Sequence, residues 1–179
     1  MNFKRMLANL LQEVILLRWA FSIAVRLFAP RNNVGVMGAI FNSSGQVLLV
    51  EHVFRPQQPW GLPGGWVERG EDPAQTIRRE LQEELNLAID VRKLLFCEPQ
   101  GGEALSSTPL SLAIVYYCRL IDEQSTLSID NAHSAYEILS YKWVYPHHIE
   151  KDLPPQQRNA IRIGQTEFDK EKKVQITKP

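Results

Sequence analysis

The stretch Gly65–Leu87, GWVERGEDPAQTIRRELQEELNL, spells out a helix with both of its ends marked. Asp72 offers an acceptor at the N-cap, and Pro73 follows at the first helical position, where a missing N–H is harmless. From there Ala74, Ile77, Leu81 and Leu85 fall on one face, within about 80° at roughly 100° per residue, so that face packs onto another layer. Asn86 stands where the helix stops, since Asn is next after Gly in tolerating the left-handed C′ conformation. The charges contradict this good design. Glu80, Glu83 and Glu84 crowd the last turns, at the end whose partial negative charge favours Lys or Arg. At i, i+3 and i+4 they share an arc of about 100°, and each like-charged pair costs roughly a few tenths of a kcal/mol. The positions one turn from Glu80 and Glu84 are Thr76 and Ala88. Only Glu83 meets a cation, Arg79, and in the weaker Arg-before-Glu order.

Carboxylates set against their own helix are expected where a divalent cation supplies the missing positive charge. All-oxygen ligands select Mg²⁺ or Mn²⁺, with water and substrate phosphates completing the shell. An acidic face turned to solvent is the alternative that the helix alone leaves open. The preceding LPGG, Leu62–Gly65, favours the cation, because Gly lets bare backbone approach a ligand and a carbonyl at Gly64 or Gly65 can complete a metal site.

Outward from this segment the pattern is that of a mixed domain. VGVMGAIF (34–41) and QVLLVEHVF (46–54) flank the turn NSSG and read as a hairpin. PWGLPGGWVERGEDP reads as a loop with a short extended piece. IDVRKLLFCE (89–98), SLAIVYYCRL (111–120) and YEILSYKWV (136–144) read as strands, with residues 99–110 a loop. PPQQRNAIRIGQ opens with Pro and carries Ala160 and Ile163 at helical spacing, so it reads as a closing helix. The last residues, DKEKKVQITKP, are charged and expected to be loose. The economical division is an N-terminal extension over 1–30, an α/β or α+β domain over 31–165, and a charged tail over 166–179.

Composition narrows the setting. The chain is 44% hydrophobic and 22% charged, which is globular rather than disordered or membrane-like. Twenty basic residues balance twenty acidic ones, so no global field recruits nucleic acid and no stable nucleic-acid partner is expected. Cys97 and Cys118 lie in apolar runs and read as buried thiols in a reducing, cytoplasmic compartment. Residues 1–30 read as an apolar, amphipathic helix ending before Pro30, interrupted by Glu13 and Arg18 and without a clear cleavage site. It would suit packing on the domain or a second copy in a homodimer. The second reading is peripheral membrane contact through residues 1–28, which the excess of Lys4, Arg5, Arg18 and Arg26 over Glu13 would suit.

The Gly65–Leu87 segment resembles the signature of the Nudix hydrolases, the MutT-like family: Gly, five residues, Glu, seven residues, Arg-Glu-apolar-any-Glu-Glu, then Gly and an apolar residue. Gly65, Glu71, Arg79, Glu80, Leu81, Glu83, Glu84 and Leu87 fall in place, and Asn86 replaces the family's Gly. Six identical residue types at about 5–7% usage each coincide by chance in on the order of 10⁻⁷ of windows. The resemblance extends over about residues 34–165 and implies an α/β/α sandwich around a mixed sheet. It implies hydrolysis of a nucleoside diphosphate linked to another group, by water attack at phosphorus with Mg²⁺ or Mn²⁺. Glu80, Glu83 and Glu84 would bind metal with a backbone carbonyl near Gly65, while Glu71 and Arg79 would brace them. Glu83 is the first candidate for the general base, and Glu137, ahead of a late strand, is the second. Arg55 is the candidate phosphate contact. A catalytically silent nucleotide-binding module is the alternative function, which the intact glutamate set disfavours. Neither the proline of ADP-ribose hydrolases nor the tyrosine of dinucleoside polyphosphate hydrolases stands at its place after Leu87. That leaves nucleoside triphosphates, nucleotide sugars and similar diphosphates as the nucleotide-type substrate.

Overall fold

The computed structural model describes residues 33–53, 57–100, 111–129, 137–149 and 153–177. The N-terminal helix expected over 1–30, Arg55 and Tyr136 lie outside these residues. Strands β1 (Val34–Phe41), β2 (Val47–His52), β3 (Trp60–Gly61), β4 (Gly64–Trp66), β5 (Ile89–Gln100), β6 (Ser111–Leu120) and β7 (Ile138–Val144) join in one mixed sheet. Helix α1 spans Pro73–Leu85, a 3₁₀ turn spans Pro146–His148, and α2 spans Pro155–Thr177.

Strand β1 is the hub. It runs parallel to β6 along its whole length, from Val34 opposite Leu112 to Phe41 opposite Arg119. Its other edge is shared: β4 pairs with its first half, Val36 opposite Gly65, and β2 meets its end at Phe41 and Val47. The expected hairpin turn is present, with the Asn42 side chain accepting the Gln46 amide at 2.9 Å. β7 runs antiparallel to β2, and β5 antiparallel to β6.

Side-chain alternation sorts the two faces. Val36 and Ile40 of β1, Leu48 and Val50 of β2 and Cys118 of β6 pack with Ile77, Leu81 and Leu85 of α1. Met37, Ala39 and Phe41, Val47 and Leu49, and Val115 and Tyr117 pack with Ala160, Ile161 and Phe168 of α2. An α/β sandwich is therefore built on near-continuous apolar strands, as sheets buried on both faces require.

Two expectations need correction. Cys118 is buried but Cys97 is exposed. The register of β5 shifts between Val91 and Lys93 and again between Leu94 and Phe96, which turns residues of this edge strand outward despite their apolar neighbourhood. The charged segment after Gln165 is not loose either, because α2 continues to Thr177. The reason is Phe168, only 4% exposed, stacked on Phe41 with ring centroids 5.8 Å apart and covered by the Arg119 guanidinium at 4.8 Å. Ala160, Gly164 and Phe168 recur on one helical face beyond the end assigned from sequence. Phe168→Ala is accordingly expected to cost about 3–5 kcal/mol, measured by urea unfolding; a loss below about 1 kcal/mol would match a dispensable tail instead.

Candidate active site

Helix α1 forms as its caps require. Asp72 accepts the amides of Ala74 at 2.9 Å and Gln75 at 3.2 Å. At the other end Asn86 sits at φ 52° in the left-handed region, and the Leu87 amide donates to the Leu81 carbonyl at 3.0 Å, closing the helix with a left-handed cap. These fixed ends set the rotation of the helix about its axis. Leu81 and Leu85 point into the core, and the glutamates border them on the side of β4.

β4 meets that border without room to spare. A Cβ on Gly65 would lie 2.2 Å from the Glu80 carboxyl carbon, and one on Gly64 would lie 2.0 Å from the Val36 carbonyl oxygen. At Gly64 the obstacle is backbone, so only glycine fits there; at Gly65 a side chain would have to displace the Glu80 carboxyl. The backbone of Gly65 thus rests directly against Glu80, as a site completed by backbone requires.

Arg79 organises the acidic side chains. Its Nε and Nη2 donate to the two oxygens of Glu71 at 3.0 and 3.1 Å, a bidentate pair. The same guanidinium reaches Glu80 at 3.1 Å and Glu83 at 3.2 Å. Helical spacing alone pairs it with Glu83; the long arginine side chain also bends back to its neighbour in sequence, Glu80. Glu71 is held down to about 2 by its hydrogen bonds from Arg79, so the brace stays ionised at any ordinary pH.

Glu84 is in the opposite situation. The residue is only 6% exposed. Burial first, then the charges of Glu80 and Glu137 and a hydrogen bond with Glu137, push its carboxyl up to about 8. Glu80 is raised as well, chiefly by burial and against the pull of Arg79. Glu137 comes from a different part of the chain: its carbonyl accepts the Val53 amide at 2.9 Å, fixing the start of β7 beside the end of β2. The fold therefore brings Glu80, Glu84 and Glu137 together, with Glu83 at the rim, its side chain 46% exposed. Among the described residues no three acidic, imidazole or thiol groups converge closely enough to enclose an ion in this conformation; Glu80 and Glu83 are turned to Arg79.

The residues nonetheless fit a divalent cation. The buried Glu84 and the partly buried Glu80 repel each other and Glu137, and the two glycines that open β4 leave bare backbone beside Glu80. Glu80, Glu84 and the Gly65 carbonyl are the groups that would hold it, with Glu83 within reach. Next to them opens a cavity of about 210 Å³ lined by Met37, His52, Leu62, Gly64, Gly65 and Trp66, among others. His52 carried no signal in the sequence, yet it lines this cavity. Trp66 is 57% exposed at its rim. His147 and His148 meet edge to face in the 3₁₀ turn, as loop residues. Cys97 stands in the same cross-strand row as Gly65, through Val36 and Ile114, but three strand spacings away, about 14 Å. It is therefore outside the acidic site.

Comparison with known proteins agrees with this geometry. The NUDIX domain profile matches residues 30–162. The chain belongs to the NUDIX family of MutT-like hydrolases. A mouse protein, nucleoside diphosphate-linked moiety X motif 6, is 40% identical over 114 residues, which are 63% of this chain and 34% of that one. The RNA pyrophosphohydrolase of Pseudomonas aeruginosa strain UCBPP-PA14 is 29% identical over 125 residues, 64% of this chain and 76% of the relative. The first curated relatives are matched over half of their length or less. The crystal structure of a MutT NUDIX hydrolase from Burkholderia pseudomallei shares the fold, with a TM-score of 0.60 and 24% identity, covering 74% of this chain and 97% of that one.

A NUDIX domain with a buried glutamate has a measurable pH signature. A carboxyl that titrates higher in the fold than in the unfolded chain holds its proton more tightly when folded. Its contribution to stability is complete below the unfolded value of 4.5 and is lost as pH rises towards about 8. Glu71, held low, acts only below that window. In metal-free buffer the melting temperature is expected to fall by at least about 3 °C from pH 5 to pH 8, equivalent to about 1 kcal/mol. Glu84→Gln should remove most of the fall, and a flat wild-type profile would contradict a buried carboxyl.

Proposed function

We propose that this chain is a metal-dependent pyrophosphohydrolase that cleaves a nucleoside diphosphate linked to another group, by attack of water at phosphorus. The observation that carries the reading is the buried Glu84 beside the partly buried Glu80, whose carboxyl lies against the bare backbone of Gly65. Arg79 engages Glu80, but its contacts do not extend to both carboxyls. Bound Mg²⁺ or Mn²⁺ would neutralise charge on the diphosphate oxygens, which is most of what phosphoryl transfer needs. Glu71 and Arg79 orient the metal-binding glutamates, a role worth about 10–100-fold in affinity or activity.

For the proton of the attacking water we favour Glu137 over Glu83, the order opposite to that drawn from sequence. Glu83 is engaged by Arg79 at 3.2 Å, whereas Glu137 faces Glu84 across the site from the start of β7. The cavity beside Gly65, about 210 Å³, suits part of the nucleotide, with the exposed Trp66 ring available for stacking. The substrate class stays at nucleoside triphosphates, nucleotide sugars and similar diphosphates, with Arg55 a proposed phosphate contact. The even charge balance supports a small-molecule substrate over a nucleic-acid partner. Free Cys97 and Cys118 support a cytoplasmic setting. Homodimer formation and peripheral membrane contact are proposals for residues 1–28; among the described residues no helix is long and apolar enough to cross a membrane.

A phosphate-release screen over nucleoside triphosphates, nucleotide sugars and dinucleotides with Mg²⁺ or Mn²⁺ tests the reading. Turnover by the wild type and its loss in Glu84→Gln are expected. Glu137→Gln should lower kcat by about 10²–10⁴-fold while keeping metal-dependent stabilisation. Metal binding without turnover of any substrate would favour the silent binding module.

A further inference from the structure

The first turn of α2 buries an amide side chain that no sequence pattern flagged. Gln157 is only 2% exposed. Its Oε1 accepts the backbone amide of Leu62 at 2.9 Å, and its Nε2 donates to the Met37 sulfur at 3.6 Å. A buried polar side chain costs stability unless satisfied, and a backbone amide left without its acceptor costs as much. This bond spans 95 positions of sequence and joins the closing helix to the segment that leads into β4 and the acidic site.

The residues on either side of Leu62 make the bond consequential. The Pro63 carbonyl accepts the Gly38 amide at 2.9 Å. Gly64 rests against the Val36 carbonyl too closely for a Cβ, and Gly65 rests against the Glu80 carboxyl. Before Leu62, a Cβ on Gly61 would lie 3.1 Å from both Gln157 Oε1 and His52 Nε2. Every residue from Gly61 to Gly65 is therefore seated by a close contact, and Gln157 supplies the one at Leu62. Leu62 and Gly65 are thus only three residues apart on a closely packed extended segment, with backbone contacts at Pro63 and Gly64 between them.

We propose that Gln157 is a positioning residue: through the Leu62 amide it sets where the Gly65 carbonyl stands relative to Glu80, and thereby the metal affinity of the acidic site. The inference rests on the hydrolase reading above and adds to it a control point on the opposite layer of the sandwich. Gln157 acts through the backbone and touches none of the groups that would hold the cation.

The test is Mn²⁺ binding to the full chain, observed by electron paramagnetic resonance, with far-UV circular dichroism to confirm folding and steady-state kinetics on any cleaved substrate. Gln157→Met keeps the volume and removes the acceptor; its Mn²⁺ Kd is expected to rise about 10-fold or more, with kcat falling in parallel. Gln157→Glu, whose carboxyl oxygen can accept the Leu62 amide, should recover most of the affinity. Ile161→Val, a core change in the same helix, should bind as the wild type does. If Gln157→Met does not fold, Gln157→Asn keeps an amide too short to span the gap, and the same Kd rise is expected. An unchanged Kd in the folded variant overturns the proposal, as does a rise in KM alone, which would make Gln157 a substrate contact. An equal loss in Ile161→Val would reduce the effect to general loosening and overturn it too. Absence of Mn²⁺ binding in the wild type, or wild-type binding by Glu84→Gln, would overturn the hydrolase site itself, an outcome distinct from failure at Gln157 alone.

Discussion

Carboxyl groups taken out of water beside one another are the constraint on which this structure turns. Glu84 is almost wholly buried, Glu80 is partly so, and Glu137 closes the group from a position more than fifty residues downstream. Each burial is unfavourable for the ionised form, and each neighbour increases the penalty. A fold retains such a cluster where some positive charge completes it. Arg79 supplies part, bound twice to Glu71 and once each to Glu80 and Glu83. Among these contacts Arg79 does not meet Glu84, whose carboxyl is raised first by burial and then by Glu80 and Glu137; a divalent cation there would supply the missing charge.

The rest of the molecule holds that cluster in register. The caps of α1 fix its rotation, so that one edge of the helix is core and the next is carboxyl. β1 positions the opposing backbone: it pairs with β4 along Gly35–Met37 and with β6 throughout. On the far layer α2 seals the sheet with Ala160, Ile161 and Phe168, and its Gln157 accepts the Leu62 amide. The two layers are thus joined at the segment that carries Gly64 and Gly65. Stability and site geometry share the same contacts, and a change in one is felt in the other.

Much of this was legible from sequence because it is local. Asp72–Pro73 and Asn86 mark helix ends by backbone chemistry alone, and the glutamate spacing follows from helical geometry. Composition and turn signals placed β1, β2 and β6 to within a residue or two. The parts that escaped were non-local. Nothing near Val34 announces its parallel partner Leu112, and nothing near Gln157 announces Leu62. His52 reads as an isolated histidine until β3 and β4 are laid out against β2 and β1. Cys97 looked buried because its neighbours are apolar, but its strand is an edge and is bulged twice. The extension of α2 was legible in principle: Phe168 continues the spacing of Ala160 and Gly164, and the surrounding charges masked it. Arg55 and the N-terminal helix lie outside the described residues, and their roles rest on sequence.

Whether the buried glutamates and the Gly65 backbone form one cation site can be decided by a crystal structure grown with Mn²⁺ at pH 8 or above, with anomalous diffraction collected at the manganese edge. The expected result is an anomalous peak bounded by the carboxylates of Glu80 and Glu84 and the carbonyl of Gly65, absent in Glu84→Gln crystals under the same conditions. A peak elsewhere, or none at this place with Mn²⁺ in excess, would contradict a shared cation site.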